Sequence, residues 1–204
     1  MKVLKAIPAL KPEDVVRGQF RGYRTEKGVA ADSKVETFVA LRLQVDSMRW
    51  QGVPFYIRAG KSLPVTSTEV VVRLRKPPPI YHAIPIDSNY LRFRISPEVT
   101  IAIGANAIAP GQETASQIVE LVATRLPKAD EMDAYERVLG DAMQGDRTLF
   151  AREDYVEEAW RIVDPIVKAG TPIHEYDPGT WGPKEVASRI TPPGGWQNPT
   201  GRMQ

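Results

Sequence analysis

Alternating apolar and polar residues recur along the first two thirds of the chain with no helix-sized segment between them, and this spacing constrains the fold more than any other feature. "TFVALRLQV" sets Val39, Leu41, Leu43 and Val45 on one side, with Arg42 and Gln44 on the other. "LRFRI" opposes Leu91, Phe93 and Ile95 to Arg92 and Arg94, and "EVTIAI" repeats the pattern with Val99, Ile101 and Ile103. "SQIVELVAT" is a further candidate. Side chains alternate across a strand, so each stretch predicts a half-buried strand. Parallel neighbours would need crossovers of about a dozen residues, usually helical. None is present, so the expectation is a large, mainly antiparallel sheet.

"FYIRAGKSLPVTSTEVVVRLR" sits oddly in that pattern. Phe55, Ile57 and Ala59 alternate with Tyr56 and Arg58, and alternation resumes at Val70, Val72 and Leu74. A tight hairpin would turn on Asn-Gly or Asp-Gly. Here Gly60 is followed by Lys61. A glycine lets the backbone turn sharply or approach a ligand closely, and an ammonium is a compact charge suited to a phosphate. On spacing alone, a solvated turn lysine is the better reading.

The period changes in the last third. Tyr135, Val138, Leu139, Ala142 and Met143 recur at helical spacing, with Asp133 and Glu136 as a capping box and Gly145 as the stop. Val156, Ala159, Trp160, Val163 and Val167 form a second stripe, which Pro165 should kink or end early and Gly170 should close. Strands followed by helices predict an α+β fold with the helices packed on one face of the sheet. Residues 1–190 are expected to form this domain. Residues 191–204 read as a Pro/Gly-rich C-terminal tail that docks through Trp181 or Trp196. "RKPPPIYHAIP" reads as a loop between strands.

The formal net charge of +2 argues for neither nucleic acid nor an anionic membrane as partner. The absence of cysteine excludes thiol chemistry and thiolate metal sites. No run of residues is long and apolar enough to span a bilayer, and the N-terminus lacks an unbroken apolar core for a signal peptide. The default expectation is cytoplasmic.

His82 and His174 are expected in Pro-rich loops, without metal-ligand spacing or a triad partner, and read as ordinary surface histidines. Arg73, Arg75, Arg92 and Arg94 are more informative. If their strands are neighbours, the guanidiniums share one sheet face. They would either bind phosphates or pair across strands with carboxylates such as Glu69, and pairing is the better reading. The coenzyme-loop pattern G-x-G-x-x-G and the phosphate-loop pattern G-x-x-x-x-G-K-[ST] are absent.

Taken together, "VVRGQF", "RWQGVPFYIRAGKSL", "EVVVRLRKPP", "DAYERVLGDAMQGDRTLFAREDYVEEAWRIVDPI" and "GTWGP" resemble the C-terminal domain of glucose-6-phosphate dehydrogenase, from about Val3 to Trp196. The resemblance implies an antiparallel sheet with helices on one side and an open sheet face that forms a homodimer interface. It implies oxidation of glucose 6-phosphate to 6-phosphogluconolactone with NADP, in the oxidative pentose phosphate pathway. It also implies that the coenzyme-binding Rossmann domain and the catalytic His and Asp lie ahead of Met1, so that this chain alone carries no catalytic residue. Lys61 matches the substrate-contacting lysine of the family's R-x-G-K motif. Thr66 and Ser96 stand at two further substrate positions, where the family often has a basic residue and a glutamine. Arg58 and Arg94 match arginines that help to hold a second, structural NADP in some members. An alternative reading is a stand-alone, non-catalytic module for dimerisation or sugar-phosphate binding.

Overall fold

The alternating segments become strands where the sequence places them. The computed structural model describes residues 1–76, 86–108, 116–125 and 132–200. The histidine His82 and most of the proline-rich loop therefore lie outside the described residues. Among the described residues eight strands run β1 Val15–Phe20, β2 Phe38–Leu43, β3 Phe55–Gly60, β4 Thr68–Arg73, β5 Tyr90–Ser96, β6 Thr100–Ile108, β7 Ser116–Thr124 and β8 Ile173–Tyr176. The helices are α1 Lys2–Lys5, α2 Ala134–Gln144, α3 Glu153–Ala169 and α4 Glu185–Arg189. The α+β class with mostly antiparallel strands holds, but the strands divide between two four-stranded sheets, ordered β3-β2-β1-β8 and β4-β5-β6-β7. The parallel pair is β1 with β8. The chain accordingly separates into two units, Met1–Pro64 with Met132–Trp196 and Val65–Glu131 with Gln197–Gln204.

In the first unit both sheet faces are apolar. Val39, Leu41, Leu43 and Phe55 pack against a cluster of Ile7, Leu10, Val15, Val45, Ile162 and Ile166, which brings α3 onto that face. The opposite face carries Val16, Phe38, Ala40 and Tyr176, closed over by Val186 and Ile190 of α4 and its end. Helices on a single face, as expected from the sequence, is therefore corrected for this sheet. "FVALRL" is apolar at every position except Arg42, so it supplies apolar side chains to both faces.

Local signals set the helix ends. The Asp133 side chain accepts the Tyr135 N–H, and Gly145 closes α2 in the left-handed region at φ 72°. Pro165 does not end α3, which runs on to Ala169. One turn before the proline, the Ile162 carbonyl accepts a hydrogen bond from Leu10 N at 2.9 Å. The described part of the C-terminal tail is docked: Trp196 Nε1 donates to Ile190 O at 3.0 Å and its ring meets Tyr56 edge-on.

The second unit is an antiparallel meander with a simple register. Val70 pairs with Phe93 and Phe93 with Ile101, while Val72 pairs with Leu91 and Leu91 with Ile103. Leu121 continues the latter row on β7. All these side chains lie on one face. The other face carries Glu69, Arg92, Arg94, Tyr90 and Glu120. Since β3 and β4 belong to different sheets, the Gly60–Lys61 step is the exit from one sheet and not a hairpin turn.

Candidate functional site

Lys61 follows the last residue of β3, and its backbone is held on both sides. Its N–H donates to Thr37 O at 2.8 Å. Its carbonyl accepts from the Tyr176 hydroxyl at 2.8 Å. The next carbonyl, of Ser62, accepts from Gly179 N at 2.8 Å, and Ser62 itself sits at φ 52°. That is the left-handed region, which a non-glycine residue occupies only when its surroundings impose it. Gly60 is required by packing: a Cβ there would stand 2.8 Å from Phe38 Cδ2. Gly182, at φ 103°, likewise gives its space to the Phe38 ring.

The result is an exposed lysine on a fixed backbone. Among the described residues its ammonium has no ion pair. A cation on a fixed backbone, without a carboxylate partner among the described residues, suits an anionic ligand.

Thr66 and Ser96 lie in the second unit, near the Thr68 end of its sheet. Ser96 ends β5, pairs with Thr68 and accepts a hydrogen bond from Ser67 Oγ at 3.1 Å. Thr66, beside Ser67, is exposed, as is Ser96. Both positions lie at the Thr68 end of their sheet, and both side chains are uncharged hydroxyls.

The arginine face takes the paired reading. Glu69 receives Arg94 Nε at 3.1 Å and Arg92 Nη1 at 3.4 Å, with its own side chain only 4% exposed. Arg92 also grips Glu120 through Nε at 3.0 Å and through Nη2. Tyr90 Oη donates to Glu120 at 2.9 Å. To reach it the ring crosses Gly104, where a Cβ would collide with the ring carbons. Thr100, Ala102 and Gly104 are the β6 residues on this face, and their small size lets long side chains reach over the strand. The Arg92 hydrogen bond holds the Glu120 carboxyl below the usual carboxylate range, and Glu120 raises Arg92 in turn. Burial, with the bond to Glu120, pushes the Tyr90 phenol up.

Arg58 contacts two indoles, its guanidinium carbon 4.5 Å from the Trp181 ring centre and 4.7 Å from that of Trp196. Burial lowers its pKa from the ordinary value. Holding a second NADP through Arg58 and Arg94 would need guanidiniums open to phosphate. Arg94 is matched to Glu69 and donates to Thr200 O, and the Arg58 guanidinium lies over two indole rings.

His174 is on β8 and not in a loop. Its Nδ1 is 3.5 Å from Glu185 Oε1 at the start of α4. The residues that fix Lys61, Thr37 and Tyr176, escaped the sequence reading. "IHEY" shows an apolar residue and an aromatic three apart, which says nothing of a hydroxyl aimed at a turn more than a hundred residues away.

No helix among the described residues is long and apolar enough to cross a membrane. Residues 1–196 match the family model described as glucose-6-phosphate dehydrogenase, C-terminal domain. Glucose-6-phosphate 1-dehydrogenase 1 of Mycobacterium tuberculosis (strain ATCC 25618 / H37Rv) is 39% identical over 201 residues, which are 97% of this chain and 43% of that protein. The Aggregatibacter actinomycetemcomitans glucose-6-phosphate 1-dehydrogenase is 38% identical over 223 residues, covering 100% of this chain and 45% of that protein. A crystal structure of the Mycobacterium avium glucose-6-phosphate 1-dehydrogenase superposes with a TM-score of 0.87 at 40% identity, over 98% of this chain and 43% of that one. A glucose-6-phosphate dehydrogenase in complex with its substrate glucose-6-phosphate gives 0.77 at 29% identity, over 93% of this chain and 42% of that one. The chain thus spans less than half the length of the relatives it matches.

Proposed function

The chain belongs to the glucose-6-phosphate dehydrogenase C-terminal domain family, and from that premise we propose that it is the substrate-binding and dimerisation domain of such an enzyme. In this reading Lys61 holds the phosphate-bearing end of glucose 6-phosphate. The observation that carries it is the exposed lysine on a turn fixed by Thr37, Tyr176 and Gly179. Thr66 and Ser96 contribute hydroxyl contacts in place of a second cation. Oxidation to 6-phosphogluconolactone with NADP, in the cytoplasm, then depends on residues beyond these 204 for the coenzyme and the catalytic base. The two histidines are His82 and His174, and the second already faces Glu185. Arg58 and Arg94 serve packing and ion pairing, not a second coenzyme.

Homodimerisation through the second sheet is supported by its apolar face. Val70, Val72, Phe93, Ile101, Ile103 and Leu121 are all exposed there, a contiguous patch of the kind that marks an interaction surface. The uncharged residues at 66 and 96 favour a second reading, a non-catalytic association module derived from this domain.

Calorimetric titration with glucose 6-phosphate separates the two. Binding that is much weaker in Lys61→Ala supports the substrate domain. No binding by the unaltered chain, together with a dimer in sedimentation, supports the association module. NADP reduction by the purified chain with glucose 6-phosphate would overturn the assignment of the catalytic groups to residues beyond it.

A further inference from the structure

Tyr176 is almost fully buried, yet its hydroxyl touches three polar atoms. It lies 3.2 Å from Thr37 Oγ1, 3.3 Å from Thr37 O and 2.8 Å from Lys61 O. Thr37 Oγ1 is itself the acceptor of the Phe20 N–H at 2.9 Å. With that lone pair engaged, the threonine hydrogen is available to Tyr176, and the tyrosine hydrogen goes to its shortest acceptor, Lys61 O. The bonds then run in one direction, from Phe20 N–H through Thr37 O–H and Tyr176 O–H to the Lys61 carbonyl, and such chains reinforce one another. Burial pushes the Tyr176 pKa up, while Thr37 pulls it back, so the phenol keeps its proton across the physiological range.

The geometry points to Tyr176 as a positioning residue for Lys61. It joins β8, late in the chain, to the exit of β3, and it fixes the carbonyl whose rotation would swing the Lys61 side chain. Thr37 holds the same residue from its amide side. Its ring also fills the core beside Phe38, at 5.4 Å between ring centres, so phenylalanine keeps the packing and removes only the hydroxyl. This assignment rests on the reading of Lys61 as a sugar-phosphate contact.

The test compares glucose 6-phosphate binding by the full chain, Tyr176→Phe, Lys61→Ala and the double variant, together with hydrogen exchange at the Lys61 and Ser62 amides. In Tyr176→Phe the expected result is affinity about tenfold weaker, a change of about 1.4 kcal/mol, and faster exchange confined to the turn. In the Lys61→Ala background, Tyr176→Phe should have no further effect on residual binding, because the hydroxyl acts through Lys61. A purely structural role would weaken both backgrounds equally. Unchanged affinity in Tyr176→Phe, with binding much weaker in Lys61→Ala, overturns the positioning role and leaves the reading of Lys61 standing. Equal binding by the full chain and Lys61→Ala, or no binding by the full chain, removes that reading and the positioning role with it.

Discussion

The two sheets have the same number of strands and opposite economies of surface. The first is covered on both faces by its own unit, with apolar clusters on each side. The second pairs its charges on one face, where Glu69 and Arg94 are nearly buried, and leaves valine, isoleucine and leucine exposed on the other. This inverts the usual half-buried sheet, in which polar residues face water. The first sheet is an apolar core that fixes a turn. The second is an ion-paired scaffold whose apolar face is exposed.

The contrast can be broken most strongly at Phe38. It is 1% exposed and packs against both Gly60 and Gly182. Phe38→Ala should cost about 4 kcal/mol in urea unfolding, the range for an aromatic deleted from a core. A loss under about 1 kcal/mol would mean the site refills freely and the first core is looser than drawn.

Glu69→Ala probes the ionic scaffold. It leaves Arg94 without its carboxylate, whereas Arg92 retains Glu120. A loss of about 3 kcal/mol is expected, the low end for breaking a buried pair. Replacement that proved neutral would place the pair in water.

Acid should act next. Glu120 has a folded-state pKa below its ordinary value, so its contribution is present above the unfolded value and is lost as pH falls through the folded one. Thermal melts should show Glu120→Gln weakening the chain near neutrality and converging with the unaltered protein in strong acid. Parallel curves would contradict the ion-pair account.

Ile103→Lys should change the protomer least, by about 0.5 kcal/mol or less, because the site is exposed. Its effect belongs to assembly. Sedimentation should show the unaltered chain as a dimer and Ile103→Lys as a monomer at the same concentration. Identical profiles would detach the apolar face from dimerisation.

Much of this contrast was legible in the sequence, for specific reasons. Leu91, Phe93, Ile101 and Ile103 alternate cleanly with polar or small residues, so the face they share followed from period two. Glu69 as the partner of the arginines followed from the charges on adjacent strands. Phe38 and Ala40 were less visible because "FVALRL" is apolar in both phases, and a single phase hides the second core. The departure of the chain into another sheet after Gly60 was hidden because alternation resumes at Val70 with the same look. Small residues at Thr100, Ala102 and Gly104 carried a usable signal, since a row of them beneath an aromatic predicts side chains crossing the strand. Lys61 stood out only through the words around it. Its fixation by Tyr176 depends on a pairing 115 residues apart in sequence, which no local pattern records.

The central claim is that the turn after β3 presents Lys61 to a sugar phosphate. Amide spectra of the chain titrated with glucose 6-phosphate, and with glucose as the control, test it most directly. The account predicts shifts centred on Lys61, Ser62 and Leu63 with the phosphate ester, none with glucose, and none in Lys61→Ala. Shifts of equal size in Lys61→Ala, or a turn left untouched while other residues respond, would contradict it.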